Sequence, residues 1–163
     1  MRALFPLDSK EKSLPLLLIS LLGAFILATM PLPHIVGWFR PDWVLLVLLF
    51  WLITLPDYLG LVFAWVVGLI MDLLTGNFLG QQALAYVVIS FFAISLHQQF
   101  RMFARTQQAL IVSLAIAIAA LIDGIVAQVF GQAEFSLLLF LPVLSSAACW
   151  PLIGTLLQRA GRK

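Results

Sequence analysis

Charged residues are scarce in this chain of 163 residues. They make up 10% of it, against 63% hydrophobic residues, and the mean hydropathy is +1.11. Soluble globular domains contain about 25% charged and about 45–50% apolar residues. The chain has too few polar residues to cover a water-facing surface. A soluble domain is therefore excluded, and a lipid bilayer is the expected solvent. The net charge of +2 gives no reason to expect nucleic acid as a partner.

Cysteine and histidine are also almost missing. Cys149 is the only cysteine, which excludes an intramolecular disulfide and leaves a small packing residue as its simplest role. The two histidines, His34 and His97, lie far apart without the spacing of metal ligands. We therefore expect neither a metal nor a cofactor.

Six apolar segments fill most of the chain, and a spanning helix needs about 17–25 such residues. They predict an all-α integral membrane protein with one polytopic domain over residues 1–163, a compact bundle of six transmembrane helices. The second segment is short and the fourth carries polar residues at its start. The expected spans are about 14–31, 39–55, 58–75, 79–97, 108–130 and 135–157.

Residues 43–74 require a decision between one span and two. A single helix of 32 residues would be about 48 Å long, well beyond a hydrocarbon core of about 30 Å, and Pro56-Asp57 interrupts it. With six spans, eight of the nine Lys and Arg residues fall on one side and only Arg40 on the other. Because cytoplasmic flanks carry excess Lys and Arg, both termini are expected in the cytoplasm.

The third segment carries small residues at every fourth position, interrupted by an acid. Gly60, Ala64, Gly68, Asp72 and Gly76 lie on one slowly winding stripe of a helix. Such a stripe is typical of a close helix–helix contact. We expect Asp72 to face protein rather than lipid, with Arg40 or backbone N–H groups near Gly76 as its partners. It either orients helices or contacts a partner or ligand.

Asp123 is the second acid expected inside the bundle, in the fifth segment. It lies past the middle of that segment, toward the non-cytoplasmic side, at a depth broadly similar to that of Asp72. We therefore hypothesise that the two acids share one polar pocket.

Two basic features complete the candidate sites. Arg40-Pro41-Asp42-Trp43 opens the second segment as a helix start in the membrane interface, since proline suits the first turn and an acid complements the helix dipole. Arg40 is also a candidate for a specific pairing. Arg101 and Arg105 lie one helical turn apart between the fourth and fifth segments, where they anchor at headgroups or dock a cytoplasmic partner.

Two motifs carry a family resemblance. The opening Arg-Pro-Asp-Trp-Val-Leu-Leu from Arg40, and the Gly-x3-Asp-x3-Gly-x3-Gly pattern of Gly68, Asp72, Gly76 and Gly80, make the chain similar to the rod shape-determining MreD family. The layout agrees over essentially the whole chain, and the specific motifs occupy about residues 39–86.

The resemblance implies a protein of the bacterial inner membrane without catalytic activity, required for rod shape and lateral wall synthesis. It implies MreC as the direct partner, with MreB and the RodA glycosyltransferase with its penicillin-binding transpeptidase as indirect ones. It also implies a fold similar to the substrate-binding components of energy-coupling-factor transporters. A scaffold or regulator of the rod complex is thus the leading hypothesis, and a small-molecule-binding transporter subunit is the alternative. A membrane enzyme has less support, because no cluster of acids appears. A proton-coupled pump is a further alternative that rests only on the two buried acids.

Overall fold

The structure, a computed structural model, describes residues 10–30, 41–55, 59–100, 102–103, 105–129 and 141–160. These residues form α-helices and no strand, which confirms the all-α prediction. Each helix overlaps one of the predicted segments. In chain order the helices are α1 Lys10–Thr29, α2 Trp43–Thr54, α3 Leu61–Thr75, α4 Gln81–Phe100, α5 Arg105–Val129 and α6 Leu141–Ala160.

Helix α2 forms the centre of the bundle. Its residues 44–52 are all buried, so the helix has no solvent-facing or lipid-facing side over that stretch. It contacts α1, α4, α5 and α6. A helix that is apolar all round is buried either in protein or in lipid, which agrees with the missing amphipathic pattern of this segment.

The length of α2 has a structural consequence. Twelve residues at 1.5 Å each give a helix of about 18 Å. A hydrocarbon core is about 30 Å thick, so α2 by itself is too short to cross one. Its ends therefore need polar partners from neighbouring helices, and the structure provides them at the amino-terminal end.

A side-chain hydrogen bond joins α2 to α1. The indole Nε1–H of Trp51 donates to the hydroxyl of Ser20 over 2.9 Å, and that hydroxyl donates to the carbonyl of Leu17. Trp51 is buried, so its N–H needs a partner inside the protein. The pair sets the relative position of the two helices.

The outer faces of the bundle are apolar. On α1 the exposed side chains include Leu14, Leu18 and Ile19, and on α3 they include Val62 and Trp65. Among the described residues, Gln107–Val126 of α5 is long and apolar enough to cross a membrane, with a mean hydropathy of 2.6. The shorter apolar helices are Leu14–Thr29, Trp43–Thr54, Leu61–Thr75 and Pro142–Leu156.

Candidate functional site

Asp72 is fully buried and its carboxylate faces the first turn of α4. Oδ2 accepts a hydrogen bond from the Gly80 N–H at 2.8 Å, and Oδ1 accepts one from the Gln82 N–H at 2.8 Å. A third, longer bond comes from the Ala83 N–H at 3.4 Å. The first N–H groups of a helix lack intrahelical partners and carry partial positive charge. Asp72 of α3 thus caps α4, which is one of the two kinds of partner expected from the sequence.

Two glycines shape the turn between α3 and α4. Gly76 has φ +71° and ends α3, and Gly80 has φ +101° just before α4. Both values lie in the region that favours glycine. The N–H groups of Gly76 and Asn77 donate to the backbone carbonyl of Asp72, the second at 3.1 Å, as in a helix end of the Schellman type. Asp72 therefore fixes this turn through both its backbone and its side chain.

Gly68 lies where α3 approaches the start of α4 most closely. A Cβ atom built on Gly68 would lie 2.8 Å from the Ala83 amide nitrogen, closer still to the Ala83 Cα, and 3.1 Å from the Gln82 carbonyl carbon. All three are backbone atoms, which no change of rotamer can move. The residues of the Gly-x3-Asp-x3-Gly-x3-Gly pattern thus form one contact inside the bundle, between α3 and α4.

Asp42 performs the corresponding role for α2. Its Oδ1 accepts the N–H of Leu45 at 3.0 Å, so Asp42 is the N-cap of α2. The same oxygen accepts the hydroxyl of Tyr86, from α4, at 3.2 Å. The Asp42 N–H donates to the buried hydroxyl of Ser146, from α6, at 3.1 Å. One residue thus links the start of α2 to two other helices.

Asp123 has a different environment from the other two acids. It lies in the last third of α5, on the face that also carries Ile116 and Ala119. Its buried Oδ1 has no hydrogen-bond partner among the described residues. The side-chain Nε2–H of Gln81 donates to the backbone carbonyl of Asp123 at 3.3 Å, which joins α4 to α5 without engaging the carboxylate.

A cavity of about 290 Å³ lies beside Asp123, and we call it the interior cavity. Asp42 and Gln82 also line it, whereas Asp72 is not among the lining residues because its carboxylate points to α4. The structure therefore places Asp123 with Asp42 at one cavity. The described residues that line it are Ala28, Pro41, Asp42, Trp43, Met71, Thr75, Gln82, Ile116, Ala119, Ala120, Asp123 and Pro142.

The lining also shows how the helices alternate. Late residues of α1, α3 and α5 meet the first residues of α2, α4 and α6 around the interior cavity. Successive helices therefore run in opposite directions, and we call this the cavity end of the bundle. The turn at Met102 and Phe103, between α4 and α5, lies at the opposite end.

The remaining candidate residues are placed as follows. Pro41 and Trp43 line the interior cavity, and the Trp43 N–H donates to the Pro41 carbonyl at 2.9 Å. Arg105 is the first residue of α5, away from the cavity end. The proposed pairing of Arg40 and the headgroup role of Arg101 lie outside the described residues.

Sequence reasoning missed Tyr86, Ser146 and the roles of Gln81 and Gln82. The two glutamines were detectable, because adjacent amides at the start of an apolar segment need partners inside a bundle. Ser146 carried no such signal, because a serine hydroxyl is equally compatible with bonding to its own helix. Tyr86 carried none because a tyrosine in an apolar segment is equally compatible with placing its hydroxyl at the membrane interface.

The described part of the chain is thus an all-α bundle with apolar outer faces and, at one end, a mainly apolar cavity that Asp42 and Asp123 help to line. A family model described as rod shape-determining protein MreD matches residues 10–160. The rod shape-determining protein MreD of Haemophilus influenzae is 28% identical over 140 residues, which are 86% of this chain and 86% of that protein. No solved structure matches. The chain belongs to the rod shape-determining MreD family, and the resemblance seen in its motifs is confirmed.

Proposed function

We propose that the protein is a non-enzymatic scaffold and regulator of the rod complex in the bacterial inner membrane. In this role it binds MreC and supports lateral peptidoglycan synthesis and rod cell shape. It interacts only indirectly with MreB and with the RodA glycosyltransferase and its penicillin-binding transpeptidase. The observation that carries the proposal is membership of the MreD family over residues 10–160.

The exposed apolar faces support a membrane location. Leu18 and Ile19 on α1, and Val62 on α3, are each more than 60% exposed, and only 22% of the apolar window in α5 is buried. In water such continuous faces would drive association, whereas lipid chains cover them without penalty. Six alternating spans, with both termini in the cytoplasm and the cavity end outward, follow from the distribution of Lys and Arg.

The internal bonding supports a scaffold rather than an enzyme. The Asp72 carboxylate is committed to three backbone N–H groups, and Asp42 to Leu45 and Tyr86. Groups used in this way hold helices in position and are poorly placed to transfer protons to a substrate. The small-residue stripe of α3 is likewise occupied by α4 around Gly68, so we place the contact with MreC on other faces of the bundle.

A pulldown tests the scaffold proposal directly. Affinity-tagged protein is extracted in mild detergent from cells that carry photocrosslinking residues on the exposed apolar faces, for example at Val62 of α3 and Leu18 of α1. The proposal expects a crosslink to MreC from at least one exposed face and none from the buried position Leu48 of α2, which is the matched control. Failure of MreC to copurify with a protein that restores rod shape would contradict direct binding.

The second candidate function is a small-molecule-binding subunit of a transporter, with a bundle similar to energy-coupling-factor substrate-binding components. The interior cavity favours it, because its volume approaches the lower end of the range for ligand pockets, about 300–1,000 Å³. A ligand-dependent rise in melting temperature without copurification of MreC supports this candidate over the scaffold.

A further inference from the structure

We propose that the interior cavity binds a cationic hydrogen-bond donor, an ammonium or guanidinium group on a short apolar chain. The scaffold role does not require a ligand of this kind. The proposal stands on the lining of the cavity, and it does not depend on whether MreC binds.

The polar groups around the cavity offer acceptors. Asp123 Oδ1 and Gln82 Oε1 are both buried without a hydrogen-bond partner among the described residues. Both described bonds to the Asp42 carboxylate go to Oδ1, so Oδ2 receives none from a described residue. A buried acceptor without a donor costs about 1–3 kcal/mol, and more when it is charged. An occupant that supplies several N–H donors removes that cost.

The charge of the lining selects a cation. Two carboxyl groups, from Asp42 and Asp123, line the cavity, and no lysine, arginine or histidine is among the lining residues that the structure describes. The partial positive charge at the start of α2 is already opposed by Asp42, and that of α4 by Asp72. Asp123 lies in the last third of its helix and has no such compensation. A cation can form ion pairs with these two carboxyl groups, which an anion or a neutral donor cannot do.

The size and composition of the cavity indicate an organic cation. About 290 Å³ is far larger than one metal ion, and no group of three or more His, Cys, Asp or Glu side chains suited to a metal occurs among the described residues. Divalent calcium needs six to eight oxygen ligands. Met71, Ile116 and Pro142 supply apolar contacts for an aliphatic chain, and the lining includes Trp43, an aromatic residue of the kind that binds cations.

The test uses the purified full-length chain in a neutral detergent and four probes with alkyl chains of three or four carbons. These are butylammonium, butylguanidinium, butanol and butyrate. We expect a saturable rise in melting temperature with the two cations and no comparable rise with butanol or butyrate. Wild-type protein that responds equally to all four probes, or to none, would overturn the proposal.

Three variants locate the site. Asp123→Asn keeps the shape of the side chain and is expected to weaken cation binding at least tenfold. Ala120→Leu fills the cavity without changing charge and is expected to abolish the response, which keeps the test decisive should Asp123→Asn fail to fold. Asp72→Asn removes a carboxylate at the same end but outside the lining, so its response to cations is expected to persist. Undiminished binding in folded Ala120→Leu protein would refute the assignment.

A parallel titration distinguishes the source of the native cation. The same probes are added to the isolated protein and to protein copurified with MreC. If the response to cations is lost only in the complex, the native cation is a basic side chain of MreC. A response in both preparations assigns it to a free amine or guanidine. Copurification is scored separately, so failure of the scaffold proposal leaves the cation test on the isolated protein intact.

Discussion

Replacement of Gly68 by alanine tests whether α3 and α4 pack backbone to backbone. The new Cβ would lie 2.8 Å from the Ala83 amide nitrogen, and ordinary contact begins at 3.4 Å. The shortfall at this nitrogen is about 0.6 Å, and the Ala83 Cα would lie closer still, so the start of α4 has to move away by more than that. The bonds from Gly80 and Gln82 to Asp72 are 2.8 Å long, so the same movement stretches them toward the limit of hydrogen bonding.

The change in stability of Gly68→Ala combines two opposing contributions. Overpacking of a close contact costs about 1–3 kcal/mol. Glycine to alanine within a helix otherwise stabilises by about 0.5–1 kcal/mol. A methyl group added at Gly154 of α6 would meet nothing within 4 Å, so Gly154→Ala is the matched control that shows the second contribution alone. The gain from alanine in a helix is common to both variants, so we expect Gly68→Ala to be about 1–3 kcal/mol less stable than Gly154→Ala.

The assay is reversible unfolding of purified protein in mixed micelles, followed by tryptophan fluorescence, with rod-shape rescue in cells lacking the endogenous protein as the functional readout. Loss of stability in Gly68→Ala should be less than additive with that of Asp72→Asn, because both changes weaken the same contact. Equal stability of Gly68→Ala and Gly154→Ala would refute the close packing of α3 on α4.

Three further predictions concern the polar contacts. Asp72→Ala should lower the free energy of unfolding by about 2–4 kcal/mol, because it removes a helix cap and leaves buried N–H donors without acceptors. Asp72→Asn should lower it by less, as measured by denaturant midpoints, and equal losses would contradict the capping role. Tyr86→Phe should cost about 1 kcal/mol and have little effect in an Asp42→Ala background; a full effect there would rule out their bond. A double-mutant cycle of Trp51→Phe with Ser20→Ala should give a coupling of about 0.6 kcal/mol, and a value of zero would show that the bond is absent.

The sequence predicted much of the fold because its strongest signals were local. Apolar run length, Pro56-Asp57 and glycine spacing each depend on a few neighbouring residues, and each helix overlaps a predicted segment. Helix ends were less certain. The second segment was predicted over residues 39–55, whereas the described helix begins at Trp43, because Asp42 takes the N-cap position.

The candidate site was less predictable because it depends on contacts between distant segments. Depth along a span made Asp72 and Asp123 plausible neighbours, but depth does not specify the direction of a side chain. Asp72 points to the start of α4, and Asp123 lines the interior cavity with Asp42. The bond from Tyr86 to Asp42 joins residues 44 positions apart, and no local pattern encodes that pairing.

We propose above that the helices alternate across the membrane with the cavity end outward. Labelling of single cysteines in intact cells with a membrane-impermeant maleimide tests it most directly, in a Cys149→Ala background. Leu79→Cys lies in the exposed turn between α3 and α4, and Met102→Cys in the exposed turn between α4 and α5. We expect Leu79→Cys to be labelled in intact cells and Met102→Cys only after permeabilisation. Labelling of both positions from outside, or of Met102→Cys alone, would contradict the alternation.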